Sequence, residues 1–341
     1  MNSAPDRAVS SWRLQNNAFL LIILFGLIAL FFFLTPTGTF LSLGNARNIT
    51  LDTAEILILA AGMTFIIIAA GLDLSIGSLV VFSSVIAAVV LVRVSGTPEQ
   101  VRDFNYPNLA LGVTLGLIAG VLSGTLWGFI NGIIITKLRV PAFIVTLGTL
   151  GMALGIAQVI TGGLNVPNVP PQLQEFFGSA SLFGVIPWLV VVAVIVVTVL
   201  GVILAKTKYG LRTKAIGASS ESAMRAGINV DRHVLSLYVL MGLLAGLVGF
   251  LDVARFNTAS ISAHSFDALT AISAVVIGGT SLFGGRGSMA GTVIGAFIPS
   301  ILRNGLILMG VQPYWQNVAV GALLITAVFI DQVRRRRSPE S

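Results

Sequence analysis

Long apolar stretches separated by short polar connections recur along the whole chain. A spanning helix needs about 20 mostly apolar residues, within a range of roughly 17 to 25. Ten stretches meet or approach that length: 18–34, 56–72, 74–92, 109–135, 142–160, 183–205, 233–251, 268–283, 288–309 and 315–330. Gly278, Gly279, Gly284, Gly285 and Gly287 interrupt the eighth, and Pro299 and Arg303 interrupt the ninth, so both are read as short or bent spans. The pattern predicts an all-α, polytopic integral membrane protein of about ten transmembrane helices. It divides the chain into a tail over 1–17, a transmembrane domain over 18–331 with a long polar loop at 206–232, and a basic tail over 332–341.

Composition agrees. Hydrophobic residues make up 55% of the 341 and charged residues 10%, against roughly 25% charged in a typical soluble domain. A bundle facing lipid has no use for a charged shell, because each buried charge costs several kcal/mol. There is no cysteine, which excludes disulfides, thiolate metal sites and cysteine nucleophiles.

The net charge of +7 changes the picture through its placement. With the N-terminus cytoplasmic and the spans alternating, the inside receives Arg7, Arg13, Lys137, Arg139, Lys206, Lys208, Arg212, Lys214, Arg225, Arg232, Arg286 and the arginine run 334–337. Arg47, Arg93, Arg102, Arg255 and Arg303 fall outside or near the outer face. This asymmetry is the positive-inside signature, and it predicts both termini in the cytoplasm. The basic tail is explained by topology and by attraction to anionic membrane lipid, so no nucleic acid partner is expected. The first span, preceded by Arg7 and Arg13, is followed by Thr35-Pro36-Thr37-Gly38 rather than a small-x-small cleavage site, and reads as a retained anchor.

The fourth span carries Gly112, Gly116, Gly120, Gly124, Gly128 and Gly132, one every four residues. That spacing places them on one helix face, an extended small-xxx-small ridge for close helix packing. The ninth span has Gly287, Gly291 and Gly295, and its Asn304-Gly305 echoes Asn131-Gly132. The two elements lie five spans apart, an odd number, so a relation between them would be an inverted 5+5 repeat.

In the long loop, Ser219 to Gly227 reads as a short capped helix: Ser219 and Ser220 at its start, Glu221 in the first turn, Ala223 within it, Arg225 in the last turn and Gly227 beyond. It is either an ordinary surface helix or a docking helix for a cytoplasmic partner. Asp73 stands between Gly71, a helix terminator, and Ser75, an N-cap, where it either caps the third span or serves gating or subunit contact. Asn131, Gln158 and Asn304 can hydrogen bond sugar hydroxyls or neighbouring helices. Glu55, Asp252, Arg255 and Asp267 near the outer ends are read as snorkelling or loop-paired. His233 and His264 fit no metal spacing, and no paired carboxylates, nucleophile triad or metal cluster is visible. The Gly279 to Gly284 stretch runs into Gly285-Arg286 and lacks the Lys of a phosphate-binding loop. No enzymatic role, cofactor or metal is therefore expected.

Four segments carry a resemblance. They are Gly62-Met63-Thr64 with Gly71-Leu72-Asp73-Leu74-Ser75-Ile76-Gly77-Ser78; Val140-Pro141-Ala142-Phe143-Ile144-Val145-Thr146-Leu147-Gly148; Gly210-Leu211-Arg212, Ala215-Ile216-Gly217, Ala223 and Ala226-Gly227-Ile228-Asn229-Val230; and Ala274-Val275-Val276-Ile277-Gly278-Gly279-Thr280-Ser281-Leu282-Phe283-Gly284-Gly285-Arg286-Gly287. In order and spacing the chain resembles the inner-membrane permease subunits of ribose, xylose, arabinose and galactose type ABC importers. The resemblance implies a monosaccharide permease in the bacterial inner membrane. Its implied partners are a cytoplasmic ABC ATPase, a periplasmic sugar-binding protein and a second permease subunit, in a homodimer or a heterodimer. It also implies that Gly217, Ser220, Glu221, Ala223, Arg225 and Gly227 belong to the ATPase coupling loop, while Asp73, Ser75, Asn131 and Asn304 stand as gate or path candidates. The alternative from another class is a secondary, ion-coupled transporter of a small polar solute, which would need membrane-embedded carboxylates or an ion site.

Overall fold

The computed structural model describes residues 4–337, with the side chains of 4–17, 179, 330, 331 and 333–337 outside the description. Arg7, Arg13 and the arginine run 334–337 therefore lie outside the described side chains, as do most of the two expected tails. Helices come in the order α1 (Ala4–Leu34), α2 (Leu43–Ile68), α3 (Ile76–Ser95), α4 (Pro98–Arg102), α5 (Leu109–Lys137), α6 (Ala142–Thr161), α7 (Pro171–Leu173), α8 (Trp188–Lys206), α9 (Lys208–Ala218), α10 (Ser220–Arg225), α11 (Val230–Phe256), α12 (Asp267–Ile277), α13 (Met289–Leu308) and α14 (Pro313–Arg337). A two-residue antiparallel hairpin, Ser181–Leu182 with Ile186–Pro187, precedes α8. The molecule is an all-α polytopic membrane protein.

Among the described residues seven helices are long and apolar enough to cross a bilayer: α2, α3, α5, α6, α8, α11 and α13. Ala18–Leu34, Asp267–Ile277 and Pro313–Phe329 are shorter apolar helices. Helices suit lipid because each satisfies its own backbone groups. The 11 residues of α12 rise about 16 Å, roughly half the hydrocarbon thickness. The stretch 268–283 is thus a half-length helix followed by a glycine turn, not a full span. Gly279, Gly284 and Gly285 take positive φ in that turn.

Two further boundaries differ from the sequence reading. Helix α2 begins at Leu43, with the Ser42 hydroxyl accepting from the Asn45 amide; its more polar first half, from Asn45 to Glu55, is helical and partly buried rather than loop. It ends at Ile68, and the residue in left-handed backbone is Ala70, φ 61, not Gly71. Pro299 sits inside α13, where the Ser300 hydroxyl donates to the Ala296 carbonyl at 3.0 Å.

The glycine ridge of α5 does what its spacing predicts. A methyl on Gly112 or Gly116 would press on Ser95 and Leu91 of α3, and Gly120 lies between Ala87 of α3 and Gly246 of α11. Gly124 and Gly128 face Gly242 and Gly246 of α11 so closely that backbone meets backbone, and Gly132 meets Leu235. In α13, Gly291 and Gly295 pack in the same way on Gly278 and Ala274 at the end of α12. The main core lies between α2, α3, α11 and α12, where Phe65, Met63, Tyr238 and Met241 are buried.

Candidate functional site

The polar loop 206–232 folds into two helices rather than one. Thr207 caps α9 by accepting from the Gly210 amide, and Ser219 caps α10 by accepting from the Ser222 amide. Gly227, φ 80, follows the C-cap Ala226. Helix α9 was missed in the sequence reading; its mixed polarity hid it, although Thr207 is a plain N-cap signal. It is anchored to the bundle. The Thr213 hydroxyl pairs with His233 Nε2 at 2.8 Å, and the Tyr209 hydroxyl with Ser236 at 2.8 Å. Helix α10 presents its charges outward: Glu221 and Arg225 pair at 2.5 Å with side chains 72% and 78% exposed. Ala223 is the buried residue of α10.

Where α9 gives way to α10, three chain segments converge. The Gly285 amide donates to the Ile68 carbonyl at 2.8 Å, and Gly217 is wedged against the same carbonyl and the Gly285 nitrogen. The end of α2, the turn after α12 and the end of α9 therefore share one contact. Any side chain at Gly217 would overlap the Ile68 oxygen.

A buried polar group sits just beyond it. The Ser75 amide and hydroxyl both donate to Asp73 Oδ1, at 2.9 and 2.6 Å, and Asn131 Nδ2 donates to the Ser75 oxygen at 3.0 Å. Ser75 precedes α3 but makes no side-chain cap bond. The expected capping of the third span is thus replaced by a turn in which Asp73 holds Ser75. The Tyr238 hydroxyl donates to the Leu72 carbonyl at 3.1 Å. Beside this segment lies a cavity of about 140 Å³ lined by Ile66, Gly71, Ile135, Ala142, Leu237 and Tyr238 among others.

Asn304 lies elsewhere. It forms a reciprocal amide pair with Asn45 of α2, both bonds 2.9 Å, so Asp73, Ser75 and Asn131 come together and Asn304 does not join them. Gln158 is exposed near the end of α6.

The opposite end of the bundle holds a charge cluster. Arg255 Nη2 reaches Asp52 at 2.5 Å and Nη1 reaches Glu55 at 2.9 Å. His264, in the α11–α12 connection, has Nδ1 2.6 Å from Asp267 and Nε2 3.2 Å from Asp252. Burial opposes the charge on His264, but Asp267 and Asp252 outweigh it and hold its pKa well above the ordinary histidine value. The sequence reading placed Glu55, Asp252, Arg255 and Asp267 at this end separately. It did not name Asp52 and considered His264 only as a metal ligand, although Asp52/Glu55, Asp252/Arg255 and His264/Asp267 each stand three residues apart, on one helix face or turn.

Comparison with known proteins completes the picture. The family described as branched-chain amino acid transport system / permease component matches residues 45–328. The chain is 35% identical over 323 residues to a fructose import permease of Rhizobium meliloti, covering 93% of this chain and 85% of the relative. It is 34% identical over 330 residues to the ribose import permease of Escherichia coli strain K12, covering 95% and 96%. With the ribose import permease of Bacillus subtilis it shares 38% identity over 310 residues, 91% and 90% of the two chains. No solved structure matches it.

Proposed function

We propose, on the premise that this chain belongs to the branched-chain amino acid transport system permease family, that it is the membrane permease subunit of an ATP-binding-cassette importer whose cargo is a monosaccharide. The observation that carries the reading is near full-length identity of 34 to 38% to permeases named for ribose and 35% to one named for fructose. The family description names amino acids, whereas these relatives, matched over nearly their whole length, name sugars. ATP hydrolysis belongs to a separate cytoplasmic ATPase, and a periplasmic sugar-binding protein delivers the cargo.

The exposed helix α10, standing on an anchored α9, suits the docking role at the ATPase. On this reading Gly217, Ser220, Glu221, Ala223, Arg225 and Gly227 form the coupling loop, and that end of the bundle is cytoplasmic, with both termini on the same side of the bacterial inner membrane. Domain limits of 18–331 for the permease and 206–232 for its loop follow. A second permease subunit is supported by the bare face of α6, where Ile144, Gly148 and Gly151 are exposed and the glycines have open space beside them.

The ten-helix, inverted 5+5 organisation is supported by a correspondence in packing. Helix α5 packs on α3, α11 and α6, and α13 packs on α12, α2 and α14. Likewise α3 packs on α6 and α11, and α12 on α14 and α2. Pairing α2 with α11, α3 with α12, α5 with α13 and α6 with α14 reproduces these contacts; α1 and α8 depart from it. In this pairing each half has its own glycine-faced helix.

Purified permease in proteoliposomes with its ATPase tests the assignment. Sugar-loaded binding protein is expected to stimulate ATP hydrolysis well above the unloaded form. Equal hydrolysis with loaded, unloaded and absent binding protein would remove it.

A further inference from the structure

Three buried side chains meet where α2 hands over to α3, and their hydrogen-bond accounts do not close. Asp73, Ser75 and Asn131 are each 0% exposed. The single hydroxyl hydrogen of Ser75 goes to Asp73 Oδ1, and the Ser75 oxygen accepts from Asn131 Nδ2. Asp73 Oδ2 and Asn131 Oδ1 remain buried without a hydrogen-bond partner. Among the described residues no Lys, Arg or His is ion-paired with Asp73.

An ionised carboxylate buried without a counter-ion is strongly disfavoured and neutralises instead. Turning over the Asn131 amide does not solve the problem. It would set Oδ1 against the Ser75 oxygen, whose one hydrogen is already given away. A proton on Asp73 Oδ2 solves both parts. It removes the charge, and it turns an acceptor into the donor that Asn131 Oδ1 lacks.

We propose that Asp73 is a protonation site: at neutral pH it holds a proton on Oδ2 and gives it in a hydrogen bond to Asn131 Oδ1, directly or through one water, closing a ring through Ser75. The proton comes from solvent as the segment is buried, and no other bond forms or breaks. The ring fastens the α2–α3 connection to α5 without a fixed charge in the protein interior. This assignment is independent of the cargo and of the ATPase.

Infrared difference spectroscopy of the full chain in lipid vesicles at neutral pH tests it, comparing the parent with Asp73→Asn. A protonated-carboxyl carbonyl band, present in the parent, absent from the variant and unchanged when Na⁺ replaces K⁺, is the expected result. Ionised-carboxylate bands in its place would overturn the assignment. So would Na⁺-dependent thermal stabilisation lost in the variant, because a cation would then be the neutralising partner. Should Asp73→Asn fail to insert, Asn131→Leu decides the same question. The acid band is expected to shift to the frequency of a carboxyl with no hydrogen-bond acceptor, and an unshifted band or none at all counts against the ring.

Discussion

The amide of Gly285 is hydrogen-bonded to the carbonyl of Ile68 at 2.8 Å, and Gly217 fills the space against both. Two connections inside the bundle and the loop assigned to the ATPase thus meet at backbone atoms. No side chain intervenes that could bend to absorb a displacement. On the proposed coupling role, a displacement of α9 would bear directly on the end of α2 and the α12 turn, since packed interfaces shift between discrete arrangements rather than deform.

Gly217→Val is therefore expected to force α9 away from Ile68 and to abolish ATP-driven uptake while the chain still inserts into the membrane. Gly26→Ala, which meets open space, is the matched control and should behave as the parent. Uptake and membrane content, measured side by side, check this; normal uptake by Gly217→Val would refute the contact's role.

Charge reversal at Arg225 separates docking from stability. Its partner Glu221 is exposed, and exposed pairs contribute only about 0.2 to 1 kcal/mol. Arg225→Glu should leave the melting temperature almost unchanged and uncouple hydrolysis from uptake in vesicles with purified partners. Full coupling in the variant would reduce α10 to a surface helix.

The α5 ridge predicts a difference between two faces of one helix. Gly128→Ala places a methyl against the Tyr238 carbonyl and Gly242, and overpacking of this kind costs about 1 to 3 kcal/mol. Leu122, 60% exposed on another face, should tolerate Ala with little change. Thermal melting in detergent resolves the two.

Truncating Arg255 should be among the most damaging single changes. Arg255→Ala strands Glu55, whose side chain is 10% exposed, and breaking a buried ion pair costs about 3 to 5 kcal/mol. Adding Glu55→Gln should recover part of the loss, a coupling that a double-mutant cycle measures directly.

His264 adds a pH dependence with a definite sign. Its pKa in the folded protein lies well above the ordinary histidine value, because Asp267 and Asp252 outweigh burial. The contribution is therefore fully present below the unfolded value of about 6.5 and is lost as pH rises through the raised folded value. Melting temperature should fall toward alkaline pH, and His264→Gln should remove part of that fall. Asp252 and Asp267 are the two carboxylates that face the group.

Much of this was legible in the residues. Seven of the ten apolar stretches contain a helix long and apolar enough to cross a bilayer, because length and hydrophobicity decide which segments lipid accepts. The four-residue glycine spacing of α5 foretold close packing, although not that the ridge would be divided between α3 and α11. Helix α12 misled because Ile277 runs straight into Gly278 and a still-apolar turn, so hydropathy continues where the helix stops. Asp73 was singled out, but its partner Ser75 is bonded in turn to Asn131, 56 residues further along the chain, and only folding brings those together. The far-end charge cluster was hidden for the same reason: its three short-range pairs lie on α2, on α11 and in the turn that opens α12.

The central claim is tested most directly by solute accumulation in vesicles that hold the permease, its ATPase and a loaded binding protein. A monosaccharide such as ribose or fructose is expected to accumulate only with ATP inside the compartment that faces α10, and an uncoupler should leave uptake intact. Accumulation that persists without ATP and collapses with the uncoupler, or that carries branched-chain amino acids and no sugar, would contradict the account.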